Sequence, residues 1–219
     1  GDTSFSGLGT SDFTISLWYY VSSSIGNHLQ IRTKRADNTI MHRLDFVNKK
    51  PTVDYKNDAG VDDTANFGSA ESQFNTSDEW RHLVYHFDVN DLSSGVPRLW
   101  IDAIEYPSTD FSAIGGTTPT ISQVLMRLDG HGGVQDLVFW DKLLSQAEIE
   151  ELYNAGVPLD PSTHSAQSDI VSWFKMGYEA QWAGYSPPSG SGDILQGTIT
   201  IPDAIGSNEF TITQEHYFK

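Results

Sequence analysis

Oxygen ligands for a cation are the first chemistry that the sequence offers. Asp37 and Asn38 stand side by side in one polar segment, and Asp129 precedes a glycine in another. Calcium is bound by several carboxylate and carbonyl oxygens at about 2.3–2.6 Å, so these three residues are the candidate metal and ligand-binding residues. Asp and Asn are also favoured in tight turns, because both tolerate a left-handed backbone. We favour the turn interpretation and leave Ca2+ open as a cofactor.

Histidines are the next candidate ligands. His82 and His86 fall on one strand face about 13 Å apart, too far to share one metal ion, at roughly 3.3 Å per residue. We therefore interpret both as packing or surface residues. His131 lies in a glycine-rich turn, where it could contact a ligand.

Aromatic side chains are candidates for stacking on sugar rings. Trp18 and Trp100 fall on predicted strands, where large aromatic residues usually pack into the core. Trp182 and Tyr185 lie in a segment rich in Gly and Pro, and are freer to bind a glycan or a neighbouring subunit. We predict that the last two are ligand-binding residues.

Catalytic patterns are not found in the sequence. Glycoside hydrolysis requires two carboxylates about 5–9 Å apart, and no Glu-x-Asp-x-Glu run places such a pair along one strand. The chain also has no cysteine and no Gly-x-Ser-x-Gly motif. We predict that the protein is not an enzyme.

The charge of the chain restricts its partners. Its 219 residues include 13 basic and 29 acidic side chains, a formal net charge of -16. Such a field repels nucleic acid and anionic lipid. No apolar run approaches the roughly 20 residues of a membrane-spanning helix. A glycan or a protein is the expected ligand, without nucleic acid and without membrane insertion.

Alternation of apolar and polar residues predicts a β-rich chain. We expect a hairpin with residues 34–38 as its turn, and a mostly irregular segment at 57–78 with one strand near Phe67. The strands at 79–87 and 97–102 are predicted to pair antiparallel. The remaining predicted strands are 12–21, 29–33, 39–46, 52–56, 124–128, 169–176, 193–201 and 209–213.

A strand that is apolar on both sides precedes the one predicted helix. Alternation places its apolar side chains on two faces, Val134, Val138 and Trp140 against Leu137 and Phe139. Apolar residues on both faces indicate a strand that is covered on both sides.

The helix has its own start and stop signals. Ser145 followed by Glu148 forms a capping box, and Gly156 and Pro158 are typical of a helix end. Helical spacing of the apolar residues between them predicts roughly three turns, the average helix length.

The segment from Trp140-Asp141 through Leu144-Ser145 to Glu148-Ile149 and Leu152-Tyr153 resembles laminin-G-like and pentraxin-like domains of the concanavalin A-type jelly rolls. Further segments carry the same resemblance over roughly residues 3–176. They are Phe13-Thr14-Ile15-Ser16-Leu17-Trp18, Lys34-Arg35-Ala36-Asp37-Asn38, Trp80-Arg81-His82, Trp100-Ile101-Asp102 and Val171-Ser172-Trp173.

This resemblance implies an all-β fold, a two-sheet antiparallel jelly-roll sandwich with one short helix, over residues 1–176. Residues 177–219 are then a C-terminal extension with weak strands that pack back or pair with a neighbour. The fold would bring the turns of Asp37 and Asp129 to one edge. Ser16 and Val84 stand where pentraxins have a disulfide, and the acidic calcium loop is shortened to residues 127–130.

The resemblance also implies a function, a non-catalytic recognition or adhesion module that binds glycan or protein at an extracellular or virion surface, with calcium where it is bound. Residues 153–158, 173–177 and 203–208 are similar, more weakly, to laminin-G-like domains of bacteriophage virion proteins. The alternative is therefore a structural virion component, a capsid decoration or tail fibre protein. In either role we expect a homo-oligomer or part of a larger assembly.

Overall fold

Strands dominate the computed structural model, which describes residues 2–4, 8, 12–21, 28–37, 39–47, 50–57, 59–74, 79–88, 97–108, 111, 121–129, 133–176, 181–183, 194–205 and 209–217. In chain order the strands are β1 (Asp2–Ser4), β2 (Phe13–Val21), β3 (His28–Lys34), β4 (Ile40–Val47), β5 (Lys50–Lys56), β6 (Asp62–Asn66), β7 (Glu79–Phe87), β8 (Arg98–Ile101), β9 (Ile104–Tyr106), β10 (Gln123–Asp129), β11 (Gly133–Trp140), β12 (Ile170–Phe174), β13 (Gln181–Ala183), β14 (Ile194–Pro202) and β15 (Glu209–Tyr217). The helix α1 spans Gln146–Tyr153.

Two six-stranded sheets form the sandwich. The first sheet has the order β1-β10-β3-β4-β5-β6, and the second has the order β12-β11-β2-β7-β8-β9. Every pairing in both sheets is antiparallel. The predicted all-β jelly-roll sandwich with one short helix is confirmed, as are the hairpin of β3 with β4 and the pairing of β7 with β8.

The segment at 57–78 is more ordered than the sequence predicts. It contains the edge strand β6 and a 3-10 helix at Gly68–Phe74. Only Ala65 of β6 is buried, because an edge strand presents most of its side chains to solvent. A strand with so few apolar residues gives almost no alternation signal.

The main core fills the space between the two sheets. Its largest fully buried side chains are aromatic, and they come from strands of both sheets, from the 3-10 helix and from the residue that precedes that helix: Phe13, Phe46, Phe67, Phe74, Tyr85, Phe139 and Phe174. Burial of such rings supplies most of the hydrophobic stabilisation of a sandwich.

A second, smaller core lies on the outer face of the second sheet. There α1 and the segment at 154–169 cover the sheet, with Ile149 and Leu152 of the helix buried against it. The strand residues in this core include Val84, Trp100, Val138, Trp140 and Trp173. The second sheet is thus covered on both faces, which is why β11 is apolar on both sides.

A β-bulge in β11 corrects one side-chain assignment. Between Gln135 and Val138 the strand holds one more residue than its partner β2, and Asp136 adopts a left-handed φ of 49°. An extra residue reverses the alternation. Val134 therefore packs against the main core, whereas Val138 and Trp140 lie in the second core as predicted.

The capping box of α1 is present as predicted, but the helix ends early. The Ser145 side chain accepts from the Glu148 amide, and the Glu148 carboxylate accepts from the Ser145 amide. Asn154 adopts the left-handed conformation and caps the C-terminus, so the helix has 8 residues and ends before Gly156. Asn is one of the few residues that tolerate this backbone.

The third sheet, in the order β13-β14-β15, belongs to the C-terminal segment. The residues after β14 contact the edge strand β12 of the sandwich. The Ala204 amide donates to the Trp173 carbonyl at 2.8 Å, and the Trp173 amide donates to Asp203 Oδ1 at 2.9 Å. The boundary between sandwich and extension at residue 176 stays a prediction.

Candidate ligand pocket

A pocket of about 350 Å³ opens on the outer face of the second sheet, between β7, β8, β9 and the start of α1. Pairing of the strands explains which residues meet there. His86 lies opposite Arg98, and Trp100 lies opposite Glu105. Arg98 and Trp100 are two residues apart on β8 and so share a face. Asp88, Ser145 and Gln146 complete the polar lining.

The hairpin of β8 and β9 depends on a strained turn. Asp102 and Ala103 have φ values of 52° and 64°, as the central residues of a type I′ turn require. The Asp102 carboxylate is held by Arg81 Nη1 at 2.7 Å and by the His82 amide at 3.0 Å. These bonds fix the turn and therefore the position of Glu105 on β9.

Trp100 forms the floor of the pocket. It is 3% exposed, and its Nε1 donates to Gln146 Oε1 at 2.9 Å. The Gln146 amide nitrogen donates in turn to the Ala103 carbonyl and to Glu150 Oε1, each at 2.9 Å. The start of α1 is thereby tied to the β8–β9 hairpin, and the floor of the pocket is held in place.

His86 carries an unused polar atom at this pocket. The side chain is 6% exposed, its ring lies 4.2 Å from that of Trp100, and its Nε2 is buried without a hydrogen-bond partner in the described part of the chain. Burial, together with the charge of Arg98, lowers the pKa of His86 to about 3. The imidazole is therefore neutral at physiological pH, and an unpaired buried nitrogen costs about 1–3 kcal/mol.

Two more of the buried histidines, His42 and His82, serve packing. His42 Nδ1 lies 2.6 Å from Thr33 Oγ1 inside the sandwich. His82 lies between aromatic rings, 5.1 Å from Trp18 and 6.3 Å from Tyr153. Neither residue lines the pocket. The prediction that His82 is a packing residue is confirmed, whereas His86 also lines the pocket.

The charges around the pocket are mostly paired. Arg98 Nε lies 3.9 Å from Glu105 Oε1 at the exposed rim. In the first turn of α1, the Glu148 carboxylate accepts hydrogen bonds from the Ser145 amide at 2.7 Å and from Lys142 Nζ at 2.8 Å. Burial raises the pKa of Glu148, but Lys142 and Ser145 outweigh it and lower the pKa to about 2. The start of α1 is thus already occupied by an anion.

A second aromatic surface lies at the far end of β7. We call Tyr20, Trp80 and Gly133 the aromatic platform, because they are neighbours on three paired strands. Trp80 is 44% exposed, and its ring lies 5.5 Å from that of Tyr20. A Cβ on Gly133 would lie 3.3 Å from the Trp80 ring, so the glycine makes room for the indole.

The predicted calcium ligands do not come together. Asp37 lies exposed in the β3–β4 turn, where its Oδ1 accepts from the Thr39 amide at 2.9 Å, which lowers its pKa. Asp129 pairs with His28 at the other end of β3, about 20 Å away for six residues of strand. The two turns lie at opposite ends of the sheet, so the expectation that they share one edge is wrong. Asn38 lies outside the described residues.

The remaining predicted ligand residues are His131, Trp182 and Tyr185. His131 and Tyr185 lie outside the described residues, and Trp182 pairs with Ile199 in the third sheet. Trp18 and Trp100 are buried, as predicted. Among the residues that the structure describes, no group of three metal-binding side chains is found, and no helix is long and apolar enough to cross a membrane.

Sequence reasoning missed most of the pocket. In the sequence, the polar lining residues are isolated polar positions on or next to three strands: His86, Asp88, Arg98 and Glu105. Their shared location depends on cross-strand pairing. One local pattern did indicate the pocket: in Arg98-Leu99-Trp100 a polar residue lies two positions from a tryptophan, and so on the same face of a strand.

Comparison with known proteins agrees with this architecture. A laminin-G model of the concanavalin A-like lectin/glucanases superfamily matches residues 2–150. No curated protein sequence matches the chain.

Three solved structures have a similar fold. The binding domain of Paraclostridial Mosquitocidal Protein 1 has a TM-score of 0.53 and 13% identity, over 94% of this chain and 61% of that chain. The binding domain of botulinum neurotoxin DC in complex with rat synaptotagmin II has a TM-score of 0.52 and 10% identity, over 96% and 64%. The ligand binding domain of botulinum neurotoxin serotype D in complex with N-acetylneuraminic acid has a TM-score of 0.52 and 13% identity, over 95% and 59%. The chain thus spans about three fifths of these domains, and the likeness concerns the fold.

Proposed function

The chain belongs to the concanavalin A-like lectin/glucanase superfamily, and on that premise we propose that it is a non-catalytic recognition module that binds a glycan in the pocket over Trp100. The observation that carries this proposal is the lining of that pocket, where Asp88, Arg98 and Glu105 share one cavity with Trp100. His86 lines the same cavity, and its Nε2 is one of several buried polar atoms without a partner among the described residues.

The composition of the pocket suits a sugar. A pyranose presents apolar C–H faces and a rim of hydroxyl groups that both donate and accept hydrogen bonds. Leu143 and Leu144, with the part of Trp100 that lines the pocket, offer apolar contact to the first. Asp88, Arg98 and Glu105 offer acceptors and a donor to the second. The volume of about 350 Å³ lies at the small end of the usual range for ligand sites, about 300–1,000 Å³.

Relatives in fold support a binding role. One similar domain was solved with N-acetylneuraminic acid and another with synaptotagmin II, so related sandwiches occur in complexes with both a sugar and a protein. An extracellular or virion surface is the location that such a module would need, and it forms part of this proposal.

Catalysis is the nearest competing function, because Asp88 and Glu105 both line the pocket. Hydrolysis needs one carboxylic acid and one carboxylate across the scissile bond. Release of reducing sugar from a bound oligosaccharide would contradict the non-catalytic part of the proposal. We expect binding without turnover.

Calcium stays a separate prediction. With Asp129 at the other end of β3, the ligand set is reduced to Asp37 and Asn38, whereas calcium takes about 6–8 oxygens. A calorimetric titration with Ca2+ of the native chain and of Asp37→Ala decides whether an ion binds at this turn.

The proposal is tested by exchanging one ring for another. His86→Phe keeps an aromatic ring but deletes the unpaired nitrogen, so we expect equal or higher stability and about tenfold weaker binding to the best sugar of a glycan panel. His82→Phe is the matched control, since it makes the same change at a buried histidine outside the pocket. Native affinity in His86→Phe, or equal losses in both variants, would refute the pocket as the site.

A further inference from the structure

Arg32 is a cation for which the described part of the chain offers no counter-ion. Its strand neighbours Leu29 and Ile31 are buried in the main core, so alternation turns Arg32 to the outer face of the first sheet. None of the carboxylates that the structure describes pairs with its guanidinium, and its Nε is buried without a hydrogen-bond partner among the same residues. The chain has 29 acidic side chains for 13 basic ones, so a cation left in this state calls for an explanation.

The residues on either side of Arg32 do not neutralise it. On β4 it lies directly opposite Arg43, and on β10 it lies opposite Leu125. Like charges at directly opposite positions destabilise an antiparallel pair. An anion held by Arg32 would offset that cost.

Two carboxylates on the same face serve Arg43 instead. Asp54 lies opposite Arg43 on β5 and pairs with it. Asp45 Oδ2 lies 3.8 Å from Arg43 Nε and accepts from Gln30 Nε2 at 2.8 Å. The charge of Arg43 is thus neutralised within the sheet, whereas that of Arg32 is available to a ligand.

From this arrangement we propose that Arg32 is the centre of an oxyanion site, which takes a carboxylate or sulfate group from an acidic sugar or from a free ion. A guanidinium binds such a group through two parallel hydrogen bonds. The net charge of -16 disfavours polyanions at long range, so the ligand carries an isolated anionic group. The site lies on the face turned away from the pocket over Trp100 and does not rest on the proposed function.

NMR titrations of the 15N-labelled chain at constant ionic strength test the site, with sulfate in one series and methyl glucuronide in another. We expect saturable shifts of the backbone amides of Arg32, Arg43 and Leu125, with dissociation constants in about the millimolar range, because one guanidinium supplies the contact. Methyl glucoside lacks the carboxylate and should not shift these three amides. Tighter binding of the glucuronide identifies an acidic sugar as the source of the anion, and tighter binding of sulfate identifies a free ion.

Three variants separate the guanidinium from general charge. Arg32→Gln removes the charge and should weaken the binding of both anions at least tenfold, while its stability in anion-free buffer stays equal or rises, because repulsion with Arg43 is lost. Arg32→Lys keeps the charge without the two parallel hydrogen bonds and should weaken binding about threefold. Lys50→Gln is the control, since it removes an exposed cation that pairs with Glu71 at 3.3 Å, and it should bind as the native chain does.

Three results would overturn the inference. The first is a native chain whose three amides show no saturable shift with either anion. The second is equal affinity in the native chain and in Arg32→Gln, because the anion would then bind elsewhere. The third is an equal loss in Arg32→Gln and Lys50→Gln, because net charge would then be the cause. The proposed function stands in each case, since its own test is the glycan panel with His86→Phe.

Discussion

Acid should unfold this protein well before its carboxylates are protonated, because three histidines are buried in the neutral form. His42, His82 and His86 are 1%, 2% and 6% exposed. Burial lowers the pKa of each from 6.5 to about 3. In the unfolded chain the same side chains titrate near their ordinary pKa of 6.5. Between about pH 3 and pH 6.5 the unfolded state therefore binds more protons than the folded state.

The sign and size of the change in stability with pH follow from the linkage between proton binding and folding. Because the unfolded state is the more protonated one, the free energy of unfolding falls as the pH falls, by about 1.4 kcal/mol per pH unit for each histidine below pH 6.5. At pH 5 this amounts to about 2 kcal/mol for one histidine and about 6 kcal/mol for three. A typical domain has only about 5–15 kcal/mol in total. We expect full stability above pH 6.5 and a free energy of unfolding lower by about 6 kcal/mol at pH 5.

Urea titrations at pH 7, 6 and 5 measure this loss directly. His42→Phe, His82→Phe and His86→Phe should each reduce the loss between pH 7 and pH 5 by about 2 kcal/mol, since each removes one histidine whose pKa is lowered by burial. Glu71→Gln is the control and should follow the native curve. The carboxylate of Glu148, with its pKa near 2, matters only at lower pH. A free energy of unfolding that changes by less than about 1 kcal/mol between pH 7 and pH 5 would refute the reasoning.

Three further changes have expected outcomes. Ser145→Ala breaks the capping box and should cost about 1 kcal/mol in urea unfolding; a native midpoint would show that the cap contributes nothing. Trp140→Ala empties a fully buried site whose Nε1 donates to Ser16 Oγ at 3.0 Å, and calorimetric unfolding should show a loss of about 3–5 kcal/mol. Gly133→Val drives a side chain into the Trp80 ring, so tryptophan fluorescence should shift to the red; an unchanged spectrum would mean that the platform tolerates a Cβ.

Local signals in the sequence predicted local structure well. The alternation of residues 12–21 predicted the strand β2, whose Phe13, Ile15 and Leu17 lie in the main core. The pair Ser145 and Glu148 located the start of the helix. In both cases the residues that decide the structure lie within a few positions of one another. Local spacing then contains the necessary information.

Three of the failures share one physical cause, which is that local spacing does not reveal how strands pair. The bulge at Asp136 reversed the side of Val134. The pairing of β10 with β3 separates Asp37 from Asp129, although each residue by itself has a side chain that can bind calcium. The pocket was missed for the same reason, since its polar residues are distant in the chain and meet only through the pairing of β7, β8 and β9.

The contact of residues 203–204 with β12 has a consequence for solubility. Strand edges with free amides and carbonyls are templates on which other chains can add, and natural proteins cover them. Asp203 and Ala204 use both the amide and the carbonyl of Trp173, as a cap on that border of the sandwich. A variant truncated before residue 203 would expose the backbone amide and carbonyl of Trp173 on this edge strand. We expect such a variant to aggregate before it loses ligand binding.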